Sequence, residues 1–259
     1  MKKIIALVLS IALVCASVFA LSSCGPKGKT LAEVLEAGEL VVATSPDFPP
    51  FEYLEGSEVV GIEVDIMTLV CEALGVDLVI QQIDFDSVLA GVQAARFDCG
   101  MSGITASEER ARNMLFSDVY YIAAQAIVVP ADSDITSKAD LEGKKVSVQT
   151  GTTAEDFCLD EGYEVESYTH NSEAKMAMTG GRVDAWVVDN LTAKEMCAND
   201  DSVRILNENM TEEPYAFAFA FGSEDLVDAI NVILADLISE GIIAGIFQNY
   251  DEAYEAPEN

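Results

Sequence analysis

Arg110 is one of few basic residues in a very acidic chain, and it follows a run of small polar residues. The 259 residues include 14 Lys and Arg against 45 Asp and Glu. Ser107 is followed by two glutamates, a typical helix start, so we expect Arg110 in the first turn of a helix. Thr105, the guanidinium and the exposed N–H groups of that turn together suit a carboxylate, which arginine binds in a bidentate manner. The alternative is an ion pair of Arg110 with Glu108 or Glu109.

Asp189 closes the predicted strand in "VDAWVVDN" and is a natural counterpart of Arg110. A carboxylate at the end of a strand can accept an ammonium group; alternatively, it caps the following helix, "LTAKEM". Because the two residues lie in different halves of the chain, they predict a site for a zwitterion. One half would hold the carboxylate of the ligand and the other its ammonium group. Closure of the halves would exclude water and strengthen both interactions.

Two further groups of side chains are candidates for lining such a site. Aromatic rings suit the carbon chain of a ligand, although each ring is equally suited to the protein core. The candidate rings are Phe48, Phe51, Tyr53 and Phe85. The turn "VQTGTT", between a predicted strand and a predicted helix, presents backbone N–H groups to an anion or a polar group. Its polar side chains include Gln149, Thr152 and Thr153.

Helical and strand patterns alternate along the chain, which predicts an α/β fold. The sequence Arg-Phe-Asp at 96–98, where a helix leads into a strand, is echoed by Arg-Val-Asp at 182–184. Both strands end in polar residues, and ligands bind at this edge of open α/β sheets. Strand-like crossings near 119–129 and 212–220 predict two lobes joined by a hinge, and "PYAFAFAFG" (214–222) predicts an aromatic strand. The predicted limits are 31–121 plus 216–259 for lobe 1 and 122–215 for lobe 2.

The first residues predict an export signal and not a structural helix. "MKK" is a basic start, an apolar run follows, and "LSSC" resembles a bacterial lipobox whose cysteine, Cys24, carries the lipid. We therefore expect a signal peptide over 1–23, a lipidated tether over 24–30 and an extracytoplasmic protein anchored to the cell membrane. A plain secretory signal and an uncleaved anchor helix are the alternatives. No later segment is apolar over the ~20 residues that a transmembrane helix needs.

Composition and charge narrow the class of protein further. Half of the residues are hydrophobic, which suits a large core, and the formal net charge of −31 disfavours nucleic-acid binding. The sequence has no P-loop, zinc-protease or dinucleotide motif, so we expect no metal, no cofactor and no ATP site. The later cysteines match no zinc-binding spacing, and form either one disulfide in each half or four free thiols. These cysteines are Cys71, Cys99, Cys158 and Cys197.

Seven segments, in order along nearly the whole chain after the signal, carry a resemblance to a known family. They are "LVVATSPDFPPFEY", "VVGIEVDI", "DFDSVLAGVQAARFDCGMSGITASEERA", "FSDVYY", "VSVQTGTTAE", "GRVDAWVVDN" and "LISEGIIAGIFQNY". With these segments the chain resembles the polar-amino-acid solute-binding proteins of ABC importers, bacterial extracellular family 3. The resemblance implies a two-lobed periplasmic-binding-protein type II fold with two hinge crossings. It also implies a monomer that closes on one L-amino acid and delivers it to a membrane permease driven by a separate ATPase.

The resemblance further implies a role for each candidate residue. Arg110 would bind the α-carboxylate of the ligand, and Asp189 would bind its α-amino group. The residues implied to assist are Thr105, Ser102, Gly103 and Thr153 around the charges, Phe48 and Phe85 along the side chain, and Ser45, Asp47 and Gln149 for specificity.

Two positions depart from the pattern of family members that bind basic or amide side chains. Such members often carry an acid where this chain has Ser45, so a cationic ligand lacks one expected partner. Val188, just before Asp189, offers no polar group. From these two positions we predict a neutral amino acid as the ligand, although Asp47 lies nearby.

Two other classes of function are open to a chain of this kind. Some proteins of this fold are dehydratases of amino-acid-like substrates, such as cyclohexadienyl and arogenate dehydratases, and they need a carboxylic acid with a raised pKa. No isolated candidate acid is evident and the sole histidine, His170, is predicted in a surface loop, so we expect no enzyme. A sensory module would be fused to membrane helices or a signalling domain, which we do not expect here.

Overall fold

The computed structural model describes residues 26–257. The predicted signal peptide and Cys24 lie outside the described residues. Within 26–257, no single helix is long and apolar enough to cross a membrane. The last two helices, Glu224–Ser239 and Ile242–Asn249, have the length and composition of a membrane span only when they are taken together, and the chain bends by 72° between them.

The first of two five-stranded sheets is built mainly from the N-terminal half of the chain. Across the sheet, its strands are β5 (Asp77–Gln82), β1 (Glu39–Thr44), β6 (Cys99–Gly100), β15 (Ala218–Phe219) and β7 (Leu115–Phe116). Strand β1 pairs in parallel with both β5 and β6. Leu40, Val42 and Ala43 of β1 are fully buried, as expected for a central parallel strand. We call this sheet and the helices around it lobe 1.

The second sheet is built from the middle of the chain, and we call it and its helices lobe 2. Across the sheet, its strands are β11 (Glu164–Tyr168), β10 (Lys145–Gln149), β12 (Ala185–Asp189), β9 (Gln125–Pro130) and β13 (Val203–Ile205). Strand β10 pairs in parallel with β11 and β12, whereas β9 runs antiparallel to β12 and β13. The parallel strands β10 and β12 therefore bring Gln149 and Asp189, their last residues, to the same edge of the sheet.

Two short strands carry the chain between the lobes. Strand β8 (Tyr121–Ala123) leads from lobe 1 to lobe 2, β14 (Glu213–Tyr215) leads back, and the two pair antiparallel. The predicted aromatic strand over 214–222 is wrong, because β14 and β15 belong to different sheets. Between β14 and β15, the backbone N–H of Ala216 donates to the carbonyl of Ile104, and that of Phe217 donates to the hydroxyl of Ser117. The predicted limits of the lobes, 31–121 plus 216–259 and 122–215, stay a prediction.

The helices cover the sheets, and their ends follow the local sequence. Thr30 caps the first helix in a reciprocal pair with Glu33, and Gly38 ends it in the left-handed conformation (φ +72°). A three-stranded sheet stands beside lobe 1, with strands β2 (Asp47–Phe48), β3 (Glu52–Glu55) and β4 (Glu58–Val60). The helices are α1 (Leu31–Ala37), α2 (Ile62–Leu74), α3 (Phe85–Gln93), α4 (Thr153–Asp160), α5 (Asn171–Thr179), α6 (Asn190–Cys197), α7 (Glu224–Ser239) and α8 (Ile242–Asn249).

The helix predicted from Ser107 is absent, and a single 3₁₀ turn over Arg110–Arg112 takes its place. Ser107 does act as a cap, because its hydroxyl accepts from the backbone N–H of Arg110 at 3.2 Å. The turn cannot continue, since strand β7 begins at Leu115 and pairs with β15. Tertiary pairing thus overrides a sound local start signal.

A cluster of aromatic rings packs around the paired crossings. Phe51 lies 5.1 Å from Tyr215, and Tyr121 lies 4.9 Å from Phe247, measured between ring centroids. Phe51, Tyr215 and Phe247 are fully buried, so the rings form part of the largest hydrophobic cluster. These rings bring β8 and β14 together with the loop after β2 and the helix α8.

The four cysteines within the described residues are all free thiols, so the second of the two alternatives from the sequence is confirmed. Cys71, Cys99 and Cys158 are buried. Burial raises the pKa of the Cys71 thiol to about 11 and that of Cys158 to about 12. These thiols are therefore protonated and unreactive near neutral pH.

Candidate functional site

One cavity lies where the two lobes meet, and residues of both lobes form its walls. The space between these walls is about 320 Å³, a figure that includes open solvent. The eleven residues to which the resemblance gives a role in binding all line the cavity, as does the candidate Thr152, whereas the candidate rings of Phe51 and Tyr53 do not. The lining residues are Ser45, Asp47, Phe48, Phe85, Ser102, Gly103, Thr105, Arg110, Gln149, Thr152, Thr153 and Asp189. Within residues 26–257, no cluster of His, Cys, Asp and Glu side chains is arranged to hold a metal ion.

Arg110 enters the cavity from lobe 1, and its guanidinium donates hydrogen bonds to carbonyl groups. Its Nη1 donates to the carbonyl of Thr105 at 3.2 Å and its Nη2 to the carbonyl of Gly151, in lobe 2, at 3.1 Å. Within the part of the chain described, no carboxylate lies within 4.0 Å of the guanidinium, so the ion pair with Glu108 or Glu109 does not form. Burial lowers the pKa of Arg110, although more distant acids oppose that shift. A partly buried, uncompensated cation of this kind favours an anionic ligand group.

Asp189 is the corresponding uncompensated acid from lobe 2. It lies at the N-terminus of α6, but its side chain makes no capping hydrogen bond there. Its carboxylate accepts instead from Nε2 of Gln125 at 2.8 Å and from the hydroxyl of Tyr215. Burial raises the pKa of Asp189 to about 7, and these two donors offset only part of that shift. The carboxylate therefore has neutral hydrogen-bond donors and no cationic partner within 4.0 Å among residues 26–257.

Glu213 is an acidic residue beside the cavity that sequence reasoning did not single out. Its Oε2 accepts from the hydroxyls of Thr105 at 2.7 Å and Thr153 at 2.8 Å, and its Oε1 from Thr211 at 2.6 Å. Because Thr105 belongs to lobe 1 and Thr153 to lobe 2, Glu213 joins the lobes from a crossing strand. Thr105 lies 108 residues from Glu213 and Thr153 lies 60 residues away, so no local signal in the sequence reveals these contacts.

Asp47 of β2 also lines the cavity, and its hydrogen bonds connect the two lobes. Its carboxylate accepts from the hydroxyl of Ser45 at 3.1 Å and from the backbone N–H of Asn171, at the start of α5, at 2.8 Å. Nε2 of Gln149 lies 3.4 Å from both of its oxygens. Burial raises the pKa of Asp47, and the bond from Asn171 is the largest opposing effect. His170 is half-exposed just before α5, and its Nδ1 lies 3.7 Å from Oδ2 of Asp47.

The Ser102–Gly103 segment forms part of the cavity wall, and its polar groups face two buried glutamates. The hydroxyl of Ser102 donates to Oε1 of Glu52 at 3.1 Å. The N–H of Gly103 lies 3.1 and 3.2 Å from the two carboxylate oxygens of Glu63. Gly103 has a φ of +54°, and a Cβ there would lie 2.5 Å from the ring of Phe48. Only glycine combines that backbone conformation with this close approach of the ring.

Comparisons with known proteins agree with this architecture. Residues 40–252 match the model of "bacterial extracellular solute-binding proteins, family 3". The arginine-binding extracellular protein ArtP of Bacillus subtilis is 32% identical over 232 residues, which are 86% of this chain and 89% of ArtP. The L-cystine-binding protein TcyJ of Escherichia coli is 28% identical, and the match covers 85% of each chain.

A solved structure extends the likeness to the fold. The crystal structure of the P235GK mutant of ArgBP from T. maritima superimposes with a TM-score of 0.82 at 33% sequence identity. That match covers 85% of this chain and 98% of the other. The two lobes and the paired crossings are thus those of the type II periplasmic binding proteins, as the sequence predicted. The chain belongs to the bacterial extracellular solute-binding proteins of family 3.

Proposed function

We propose that the protein is the extracytoplasmic receptor of an ABC importer, which closes on one L-amino acid and delivers it to a membrane permease. A single observation carries the proposal: Arg110 and Asp189 line one cavity from opposite lobes, and neither has an oppositely charged partner within 4.0 Å among the described residues. Leaving a buried charge without its partner costs about 3–5 kcal/mol. A zwitterion supplies both missing partners at once. The permease and the lipid anchor at Cys24 stay predictions.

In this proposal the carboxylate of the ligand receives hydrogen bonds from Arg110, and its ammonium group donates to Asp189. The rings of Phe48 and Phe85 lie along the ligand side chain; Phe85 is already covered on one face by the guanidinium of Arg110, 5.8 Å from its centroid. The hydroxyl protons of Thr105 and Thr153 are directed to Glu213. These hydroxyls therefore assist a carboxylate only after they turn away from Glu213.

Two classes of ligand side chain compete. A neutral side chain is predicted by the absence of charge at Ser45 and Val188. The three hydrogen-bond donors to Asp47 also satisfy its carboxylate without a cation. The position of Asp47 in the cavity wall favours a cationic one, because a cationic side chain can form an ion pair with this acid inside the cavity, whereas its neighbour His170 is half-exposed. The arginine specificity in the names of ArtP and ArgBP points the same way. We therefore place a cationic amino acid first and a neutral one second.

A ligand screen tests the proposal directly. Each of the twenty L-amino acids is added to the purified protein, and thermal unfolding is followed. A ligand at 100 times its dissociation constant should stabilise the folded state by about 2.7 kcal/mol. If no amino acid raises the melting temperature or binds in calorimetry, the proposal is wrong.

The same assay separates the two classes of side chain. Asp47→Asn removes the charge of this acid while retaining its shape and its ability to accept hydrogen bonds. If the ligand is cationic, this variant should weaken the binding of arginine or lysine about tenfold or more, since a partly buried ion pair is lost. The binding of glutamine should change little. Equal effects on cationic and neutral ligands would instead support the neutral class.

The dehydratase alternative has no support from the comparisons, because the family and the relatives named above are solute-binding proteins. The raised pKa of Asp189 is nonetheless the property that such an enzyme needs in its acid. Incubation with prephenate and arogenate, with detection of product by absorbance, is therefore a useful negative control. We expect no turnover with either compound.

A further inference from the structure

Two glutamates lie in contact behind the cavity wall, and neither belongs to the cavity lining. Glu52 is on β3 and Glu63 is in the first turn of α2; both side chains are fully buried. Their carboxyl groups lie close enough for one of them, when protonated, to donate a hydrogen bond to the other. Among residues 26–257, no Lys, Arg or His nitrogen lies within 4.0 Å of either one.

Two carboxylates in contact, away from water and without a cation, cannot both be ionised. The other titratable groups that face them are Asp47 on β2, Cys99 on β6 and Tyr120 just before β8, and none is a cation. Oε2 of Glu52 is buried, and among residues 26–257 no hydrogen-bond donor lies within reach of it. A proton on Glu52, shared with Glu63, supplies a partner and removes one of the two charges.

The remaining hydrogen bonds assign the charge within the pair. Glu63 accepts from the N–H of Gly103 through both oxygens and from the hydroxyl of Tyr120, which suits an ionised carboxylate. Among residues 26–257, Glu52 accepts only from the hydroxyl of Ser102. Burial raises the pKa of both acids, and it raises that of Glu52 well above its usual value because the adjacent charge of Glu63 adds to the shift. Glu52 is therefore the protonated member.

The pair is connected to the cavity through two adjacent residues of its wall. The hydroxyl of Ser102 donates to Glu52 and accepts from the backbone N–H of Ser45, another lining residue. The N–H of Gly103 points to Glu63, so the carbonyl of Ser102, across the same trans peptide, points away from Glu63. We propose that Glu52 and Glu63 are positioning residues that share one proton and orient the Ser102–Gly103 segment for ligand binding.

The part of this inference that concerns ligand binding rests on the proposed function, and amide variants test it. In Glu52→Gln, the amide mimics the protonated acid: it accepts from Ser102 and donates to Glu63. We expect this variant to lose much less affinity for the ligand than Glu63→Gln does. In Glu63→Gln, an amide must replace a carboxylate that accepts hydrogen bonds from three donors. We therefore expect the affinity for the ligand to fall about tenfold or more. Glu58→Gln, an exposed change on β4, is the matched control.

A stability measurement tests the shared proton without any ligand. Unfolded Glu52 ionises above its ordinary pKa of 4.5, whereas folded Glu52 keeps its proton, so unfolding releases a proton and stability falls as pH rises. Denaturant unfolding between pH 5 and pH 7 should show this. The ratio of the unfolding constant of the wild type to that of Glu52→Gln should rise about tenfold per pH unit until folded Glu52 ionises.

The two measurements fail in distinguishable ways. A loss of affinity in Glu63→Gln that is much larger than that in Glu52→Gln, together with the pH-dependent ratio, supports the proposal. Equal effects on affinity, or a ratio that does not change with pH, overturn it. If no amino acid binds at all, the proposed function fails while the pH-dependent ratio still decides whether the proton is shared. If Glu63→Gln does not fold, Tyr120→Phe replaces it and should weaken binding about threefold; unchanged affinity overturns the positioning role.

Discussion

Asp189 should release a proton when an amino acid binds. Burial raises the pKa of its carboxyl group to about 7, although the charge of Arg110 opposes this shift. The ammonium group of a ligand stabilises the ionised form and lowers this pKa. Binding at pH 7 should therefore release about half a proton, and binding one pH unit lower should release nearly one. Below pH 7, affinity should fall about tenfold for each unit of pH.

The assay is calorimetry in pairs of buffers with different heats of ionisation, at pH 6, 7 and 8. The difference in binding enthalpy between the two buffers gives the number of protons released. The variant Asp189→Asn keeps an acceptor for Gln125 and a group that bonds to Tyr215, so it should fold and release no proton. An equal release by wild type and variant, or none by the wild type, would refute the reasoning.

The same group makes a prediction for stability in the absence of ligand. Since its pKa is raised in the folded state, Asp189 destabilises the folded protein as the pH rises from about 4 to about 7. The shift from 3.8 to about 7 corresponds to about 4 kcal/mol at the upper end of this range. Asp189→Asn should remove this loss, so its stability relative to the wild type should increase with pH. A difference that is constant between pH 4 and pH 7 would contradict the raised pKa.

Three further substitutions test other parts of the site. Arg110→Ala should weaken amino-acid binding by about 2–5 kcal/mol, because the ligand carboxylate loses its charge partner; unchanged affinity in calorimetry, compared with Arg112→Ala as control, would exclude this role. Glu213→Gln removes a charge that raises the pKa of Asp189, so the pH of half-maximal proton release should fall below that of the wild type, and an unchanged midpoint argues against the coupling. Gly103→Ala should unfold at a lower denaturant concentration than Gly56→Ala. Both glycines have a positive φ, but only at residue 103 would the added Cβ meet the ring of Phe48. Equal unfolding midpoints would show that Phe48 adapts without cost.

Much of the fold follows from local patterns in the sequence. The alternation of helix and strand and the strand that ends at Asp189 are both read from neighbouring residues, and the structure agrees with them. The helix predicted after Ser107 does not form, because β7 pairs instead with β15, a strand more than a hundred positions further along the chain. Local signals predict where an element starts, but they do not include the partner strand that ends it.

Local periodicity in the sequence predicts the α/β class, and the resemblance of seven segments indicates the family and most of the candidate residues. Which of the described charges lack partners depends on tertiary packing. Arg110 has acidic neighbours in the sequence but no carboxylate within 4.0 Å among the described residues, whereas Glu213, Glu52 and Glu63 acquire their partners from distant segments. The pKa of a carboxyl group depends on burial and on the donors around it. Both arise from packing between segments far apart in the chain, so local sequence does not specify them.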